Sequence, residues 1–253
     1  MGARTGLADL ARAGGWGARW GWVLPLLTQV CAPLAGCAPA LPSFAGSRTT
    51  PDGRADVVLG MAARVPTGDL AQDDRALGLA GPGGIAPAGA VRVGLSRALD
   101  LGMVVSAASG RAELRYGGRF GQLRAHVGLA GFGGYATTAL DAMGAQGAGW
   151  RAGAFVPLTL AFDAAGILEA WVGGRFAFER VEGSLGPADA NAPTSAWGVR
   201  GGGVVGLALG LRRVHLLVEL AVDGEWWTGR TGDVAFERTG VALTPAFAVR
   251  ARF

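Results

Sequence analysis

The residues of this chain that can do chemistry are mostly arginines and carboxylates. Within each local run they fall an even number of positions apart. Arg111, Glu113 and Arg115 form one such run, Glu169, Arg175 and Glu179 another, and His215, Glu219 and Asp223 a third. Asp56, Arg64, Arg92, Arg124, Arg151, Arg200, Arg250 and Arg252 fit the same parity in their own segments. A guanidinium fork meets a carboxylate through two parallel hydrogen bonds, and a charge away from water needs such a partner. The set therefore reads as an ion-pair network filling an interior. Because arginines outnumber acids on this face, the sharper reading is a narrow anion-favouring pore. Catalysis has little to work with. The histidines are His126 and His215, and His215 shares its face with Glu219 but with no serine beside it. There is no G-x-S-x-G elbow and no H-E-x-x-H pair. Gly201-Gly202-Gly203 lacks a phosphate-loop lysine and is expected to mark a bulge or close packing. Asp69, Asp73 and Asp74 read as a solvated loop rather than a calcium site. No catalytic residue, metal or cofactor is expected.

Strands must position these groups, because a two-residue period sends alternate side chains to opposite faces. Apolar residues alternate with polar or small ones over 55–65, 91–96, 99–106, 111–116, 122–130, 150–160, 168–179, 197–211, 214–223 and 241–253. That makes ten strands, with eight as the runner-up if one early pair is misread. Residues 97–99, 118–121, 163–166 and 211–213 read as tight turns. Residues 66–88, 134–148, 182–195 and 229–240 read as long loops, and a further tight turn is expected near Ser109-Gly110. An even count returns both ends of the chain to the same side. No solenoid-length repeat is present.

The apolar face carries almost no charge, while the polar face is rich in Gly and Ala (Gly94, Gly102, Gly128, Ala130, Gly153, Ala246, Ala248). Small residues leave room for long arginines in a narrow interior. A water-facing surface would more often carry Lys, Glu, Thr and Ser. Large aromatics gather near strand ends: Tyr116, Tyr135, Trp150, Trp197, Trp226, Trp227, Phe247 and Phe253. There they can form girdles at two membrane interfaces. The expected fold is all-β, a closed antiparallel up-and-down transmembrane barrel, the one sheet that leaves no unpaired backbone in lipid. A soluble barrel with its apolar set inside is the competing architecture. The 23 basic residues are all arginine and the net charge is +4. They are scattered singly along strands, so no nucleic-acid partner is expected.

The two ends carry addresses. Arg4, Arg12 and Arg19 precede an apolar run from Trp20 to Ala35 that is too short and interrupted to span a bilayer as a helix. It closes on Leu34-Ala35-Gly36-Cys37. The last strand, Val241–Phe253, alternates to a terminal Phe. Together these features resemble small Gram-negative outer-membrane β-barrel proteins, with a leader similar to those of bacterial lipoproteins. The resemblance implies cleavage before Cys37 with acyl chains on that residue, and recognition of Phe253 by the outer-membrane assembly machinery. Ala38-Pro39-Ala40 offers an ordinary signal-cleavage site instead. Cys31 falls inside the leader, so no disulfide or thiolate metal site is expected in the mature chain. The expected organisation is a signal peptide at 1–36, a periplasmic tether at 37–53 and a barrel at 54–253. The expected location is the bacterial outer membrane, in contact with its lipid, with an unknown envelope or extracellular ligand. The resemblance implies a non-enzymatic barrel, structural or interacting through outer loops. A small diffusion channel and, further off, a lipid-modifying enzyme are the alternatives.

Overall fold

The last strand pairs with the first. In a computed structural model, residues 41–253 are described apart from 45, 47, 72–82, 107–108, 140–145, 187–191 and 212. They contain β1 (Ala55–Gly68), β2 (Gly84–Gly94), β3 (Leu99–Ser106), β4 (Ser109–Phe120) and β5 (Leu123–Ala139). These are followed by β6 (Gln146–Ala164), β7 (Leu168–Gly186), β8 (Ala192–Leu211), β9 (Val214–Thr231) and β10 (Val234–Arg252). Each strand runs antiparallel to its neighbour in sequence, and β10 closes on β1 with Asp56 opposite Arg252 and Leu59 opposite Val249. The fold is a closed ten-stranded antiparallel barrel, and the eight-strand count is excluded. Phe253 extends the seam, its N–H donating to the Ala55 carbonyl at 2.9 Å. Closure leaves no open edge among the ten strands.

At the end where β1 begins and β10 finishes, every connection between strands is short. The other end departs from expectation. Residues 229–240 were expected as a long loop, yet β9 runs to Thr231 and β10 starts at Val234, joined by a turn at Gly232-Asp233. Gly232 sits at φ 58°, which glycine adopts without a steric penalty. The expected loops at 66–88, 134–148 and 182–195 shorten too, because β1, β2 and β5–β8 continue into them. The backbone ladder does not stop where apolar alternation stops. Above the apolar band the outward residues become Glu182, Ser195, Arg230 and Glu237, and a hydropathy pattern reads them as loop. The turn expected near Ser109-Gly110 falls slightly earlier, since Ser106 already pairs with Ser109.

Two faces follow from the pleat. Leu59, Met61, Leu101, Leu114, Leu129, Leu158, Val172, Leu207 and Val218 are exposed on the outside. Inside are Ala62, Ala130, Ala208, Ala221, Ala242 and Ala248 with the charged set. Two tryptophans occupy the bore by facing glycines. Trp171 is paired with Gly206 and Trp227 with Gly198, and both indoles are buried. A Cβ on Gly206 would overlap the Trp171 ring. Gly206→Val should therefore overpack the bore and cost about 1–3 kcal/mol. A lowered unfolding midpoint of the lipid-reconstituted protein checks this, with Val205→Leu on the outer face as the near-neutral comparison. The glycine run forms no bulge: Gly201, Gly202 and Gly203 pair in register with β7 and β9, and Gly202 is closely approached by Asp223.

Part of the span expected as a periplasmic tether lies elsewhere. Within 37–53, Leu41, Pro42, Ser43, Phe44 and Thr50 are buried inside the barrel. The segment enters beside Gly94, which pairs with Asp52 at the short-turn end. Thr50 N–H then donates to Asp100 Oδ2 at 2.9 Å, and Ser43 N–H to Glu219 Oε1 at 2.7 Å. Arg115 donates to the Arg48 carbonyl at 2.7 Å, and Arg111 to the Pro42 carbonyl at 3.0 Å. The wall thus supplies partners that an extended peptide otherwise finds only in water.

Candidate functional site: the charged lumen

Strand register builds the lumen. On β3 and β4, Asp100 stands directly opposite Arg115. Its oxygens lie 2.7 Å from Arg92 Nη1 and 2.8 Å from Arg115 Nη2. Gly102 sits between Arg92 and Glu113 in the ladder, and its bare Cα leaves the space the Arg92 guanidinium occupies. Arg92 reaches Glu113 at 3.5 Å and Arg111 reaches it at 3.4 Å. This cluster binds three strands and the entering segment together.

A second cluster spans β1 and β6–β9. Glu179 takes Arg200 at 2.5 Å and Arg151 at 3.4 Å. Glu225 accepts both arms of Arg64, at 2.6 and 2.7 Å, and the Trp227 indole N–H at 3.0 Å. Arg175 and Asp223 pair through two hydrogen bonds. Phe155 lies under the Arg111 guanidinium at 4.6 Å, and Phe132 stands between Arg151 and Arg200 at 5.9 and 5.7 Å. Flat cations on aromatic faces fill the bore while keeping favourable electrostatics.

The third cluster lies at the short-turn end. Glu169 receives Arg250 at 2.8 Å and Arg252 at 2.7 Å. His215 Nε2 lies 2.8 Å from the Gly166 carbonyl and 3.9 Å from Glu169. Asp163 joins Arg48 of the entering segment at 2.8 Å and Arg124 at 3.3 Å.

Of the residues singled out in the sequence, Arg92, Arg111, Glu113 and Arg115 meet in the first cluster. Arg151, Arg175, Glu179, Arg200 and Asp223 belong to the second, and Arg124, Glu169 and His215 to the third. Glu219 points inward and takes the Ser43 N–H, two inward positions along β9 from Asp223 of the Arg175–Asp223 pair. Arg200 pairs with Glu179, not with Glu219: Arg200 faces Glu225 in the ladder, while Glu219 faces Gly206. Cys37 lies outside the described residues. Trp227 was expected in an outer girdle but is buried in the lumen, because it shares the parity of Asp223 and Glu225. Tyr116, Tyr135, Trp150, Trp197, Trp226, Phe247 and Phe253 face outward. Phe178 and Trp197 stack with centroids 5.0 Å apart.

Sequence reasoning missed Asp100, Asp163, Glu225, Trp171, Phe132, Phe155 and the 41–50 segment as lumen residues. Parity was available for the first six. Asp100 alternates with Leu99 and Leu101, and Glu225 continues the odd-numbered run of His215, Glu219 and Asp223. Among the described residues, no group of three His, Cys, Asp or Glu converges to hold a metal ion. A lumen cavity of about 30 Å³, room for roughly one water, lies among Leu41, Phe132, Arg175, Arg200 and Asp223.

The class this geometry defines is an inside-out barrel with an apolar exterior and a filled, ion-paired bore. No protein-family model matches the chain, and no curated protein matches it. Among solved structures, it is similar to the outer membrane protease OmpT from Escherichia coli, at 9% identity and a TM-score of 0.45, covering 79% of this chain and 96% of that one. It is also similar to Neisserial surface protein A, at 16% identity and a TM-score of 0.33, covering 80% and 100%. A third is Ail, the attachment invasion locus protein of Yersinia pestis, at 11% identity and a TM-score of 0.32, covering 80% and 99%. These scores are low, and the barrel stands on its own strand pairing.

Proposed function

We propose that the chain is a bacterial outer-membrane barrel with a closed lumen, working without catalysis as a structural element and through its outer end. The observation that carries this reading is the filled bore: among the described residues, Leu41–Phe44, Thr50 and three ion-pair clusters occupy it, and the cavities described within it measure about 30 and about 10 Å³. The exterior supports the membrane setting. Ten residue steps separate outward Leu216 from outward Trp226 on β9. At about 3.3 Å per step and a tilt of about 40°, they rise about 25 Å, the height of the apolar band in such barrels. Phe253 on the closing strand supplies the feature that the assembly machinery reads in this class.

The outer end supports interaction. Tyr135, Trp150, Glu182, Ser195 and Arg230 form one continuous cross-strand row from β5 to β9. They border an open groove of about 970 Å³. An aromatic pair beside a carboxylate, a hydroxyl and a guanidinium suits a polar envelope or extracellular ligand. Against the lipid-enzyme reading, His215 is fully buried at the opposite end.

Two experiments test the proposal. Membrane fractionation should place the mature protein in the outer membrane, with folded protein migrating ahead of heat-denatured protein on a semi-native gel. In planar bilayers the intact protein should show no stable conductance steps. Steady ion conduction by the intact protein would overturn the closed-lumen reading in favour of a diffusion channel.

A further inference from the structure

The leader offers two processing sites, and the position of Leu41 distinguishes them. The described residues from 52 back to 41 meet wall groups progressively farther from the short-turn end. Thr50 meets Asp100, Arg48 meets Asp163, Ser43 meets Glu219, and Leu41 reaches the cavity beside Arg175 and Asp223. Asp223 lies nine residues along β9 from Val214, where that strand begins at the short-turn end. At about 3.3 Å per residue and a tilt of about 40°, Leu41 stands about 20 Å up the bore.

A Cys37 carrying acyl chains must sit at the inner-leaflet surface, outside the wall. Four residue steps separate it from Leu41, and a fully extended chain covers at most about 14 Å in that length. The tether is too short to round the rim and reach lipid while Leu41 keeps its place. Acylation would have to draw the segment down. That would strip Glu219 of the Ser43 N–H and Arg111 of two backbone carbonyls, those of Pro42 and Ser43, in the interior.

We infer that maturation cuts after Ala38-Pro39-Ala40, leaving an unacylated chain whose first residue, Leu41, is seated in the lumen. The step is hydrolysis of the Ala40–Leu41 peptide bond. One water is consumed, a carboxylate stays on the leader and an α-amino group is left on Leu41. That residue borders the cavity of about 30 Å³, which has Asp223 in its wall. The mature N-terminus is then itself the filling of the bore. The inference rests on the outer-membrane reading above, since both cleavages require export.

Intact mass and N-terminal sequencing of the protein from cell membranes test it. The expected result is a chain starting at Leu41 with no added lipid mass. Cys37→Ser should mature to the identical product, and Ala40→Tyr should accumulate precursor, because the peptidase requires a small residue there. A product beginning at Cys37 with acyl mass overturns the inference, as does precursor accumulating in Cys37→Ser. The mass decides the processing whichever fraction holds the protein, and the fraction separately decides the location.

Discussion

Asp100→Leu is expected to lower the stability of the folded barrel by about 3–5 kcal/mol, the range for a buried charge pair deprived of one partner. Asp100 is fully buried and anchors three groups at once: the Arg92 and Arg115 guanidiniums and the Thr50 N–H. Its loss takes the shared carboxylate from two buried cations and the acceptor from a buried backbone donor. Glu113, at 3.5 Å from Arg92, can take over only part of one of them. The desolvation cost of the arginines was already met in the native fold through this carboxylate, so removing it exposes the whole penalty. The measurement is the denaturant midpoint of protein folded in lipid. Asp233→Asn, at an exposed turn of the opposite end, should leave it within about 0.5 kcal/mol. Equal midpoints for the two variants would mean that the bore is hydrated enough to solvate its arginines.

A chain beginning at Pro51, produced without a leader and refolded into bilayers, should conduct where the longer chain does not. Removing residues 41–50 takes out Leu41, Ser43, Phe44 and Thr50, which are buried inside the barrel. The narrow level then exposed is lined by Arg111, Arg151, Arg175 and Arg200, with Asp223. Current through it should favour anions and fall when Arg200 is replaced by Gln. Barrel closure does not depend on the segment, because β1–β10 pairing starts at Ala55. The truncated protein should therefore still fold and show heat-modifiable mobility. A folded but silent truncation would assign closure of the bore to the wall side chains alone.

The strand pattern carried the architecture because alternation within the apolar band is enforced by solvation on one side and space on the other. Val214 to Asp223 shows this: outward residues are aliphatic, inward ones are Leu217, Ala221 or titratable. The same rule loses its signal where β9 rises above the band, since both faces of Trp227–Thr231 meet polar surroundings or protein. The hairpin at Gly232-Asp233 and the inward turn of Trp227 were therefore hidden. Parity alone, carried past Asp223, would have placed both Glu225 and Trp227 in the bore. Partner choice was less legible. Arg200 meets Glu179 and not Glu219 because of the stagger between β7, β8 and β9, which hydrophobic pattern does not encode. The segment Leu41–Thr50 has no periodicity, and its place is set by wall groups distant in sequence.

Spin labels at Leu217 and Val218 test the inside-out barrel most directly. The chain carries no cysteine beyond residue 37, so single cysteines can be introduced at these neighbours on β9. Leu217 is fully buried toward the lumen and Val218 is exposed outward. In reconstituted bilayers, a label at Val218 should collide readily with oxygen dissolved in lipid and hardly at all with a water-soluble nickel complex. A label at Leu217 should be shielded from both. Free access of the nickel complex to Val218 would contradict the account, because the apolar face would then lie in water.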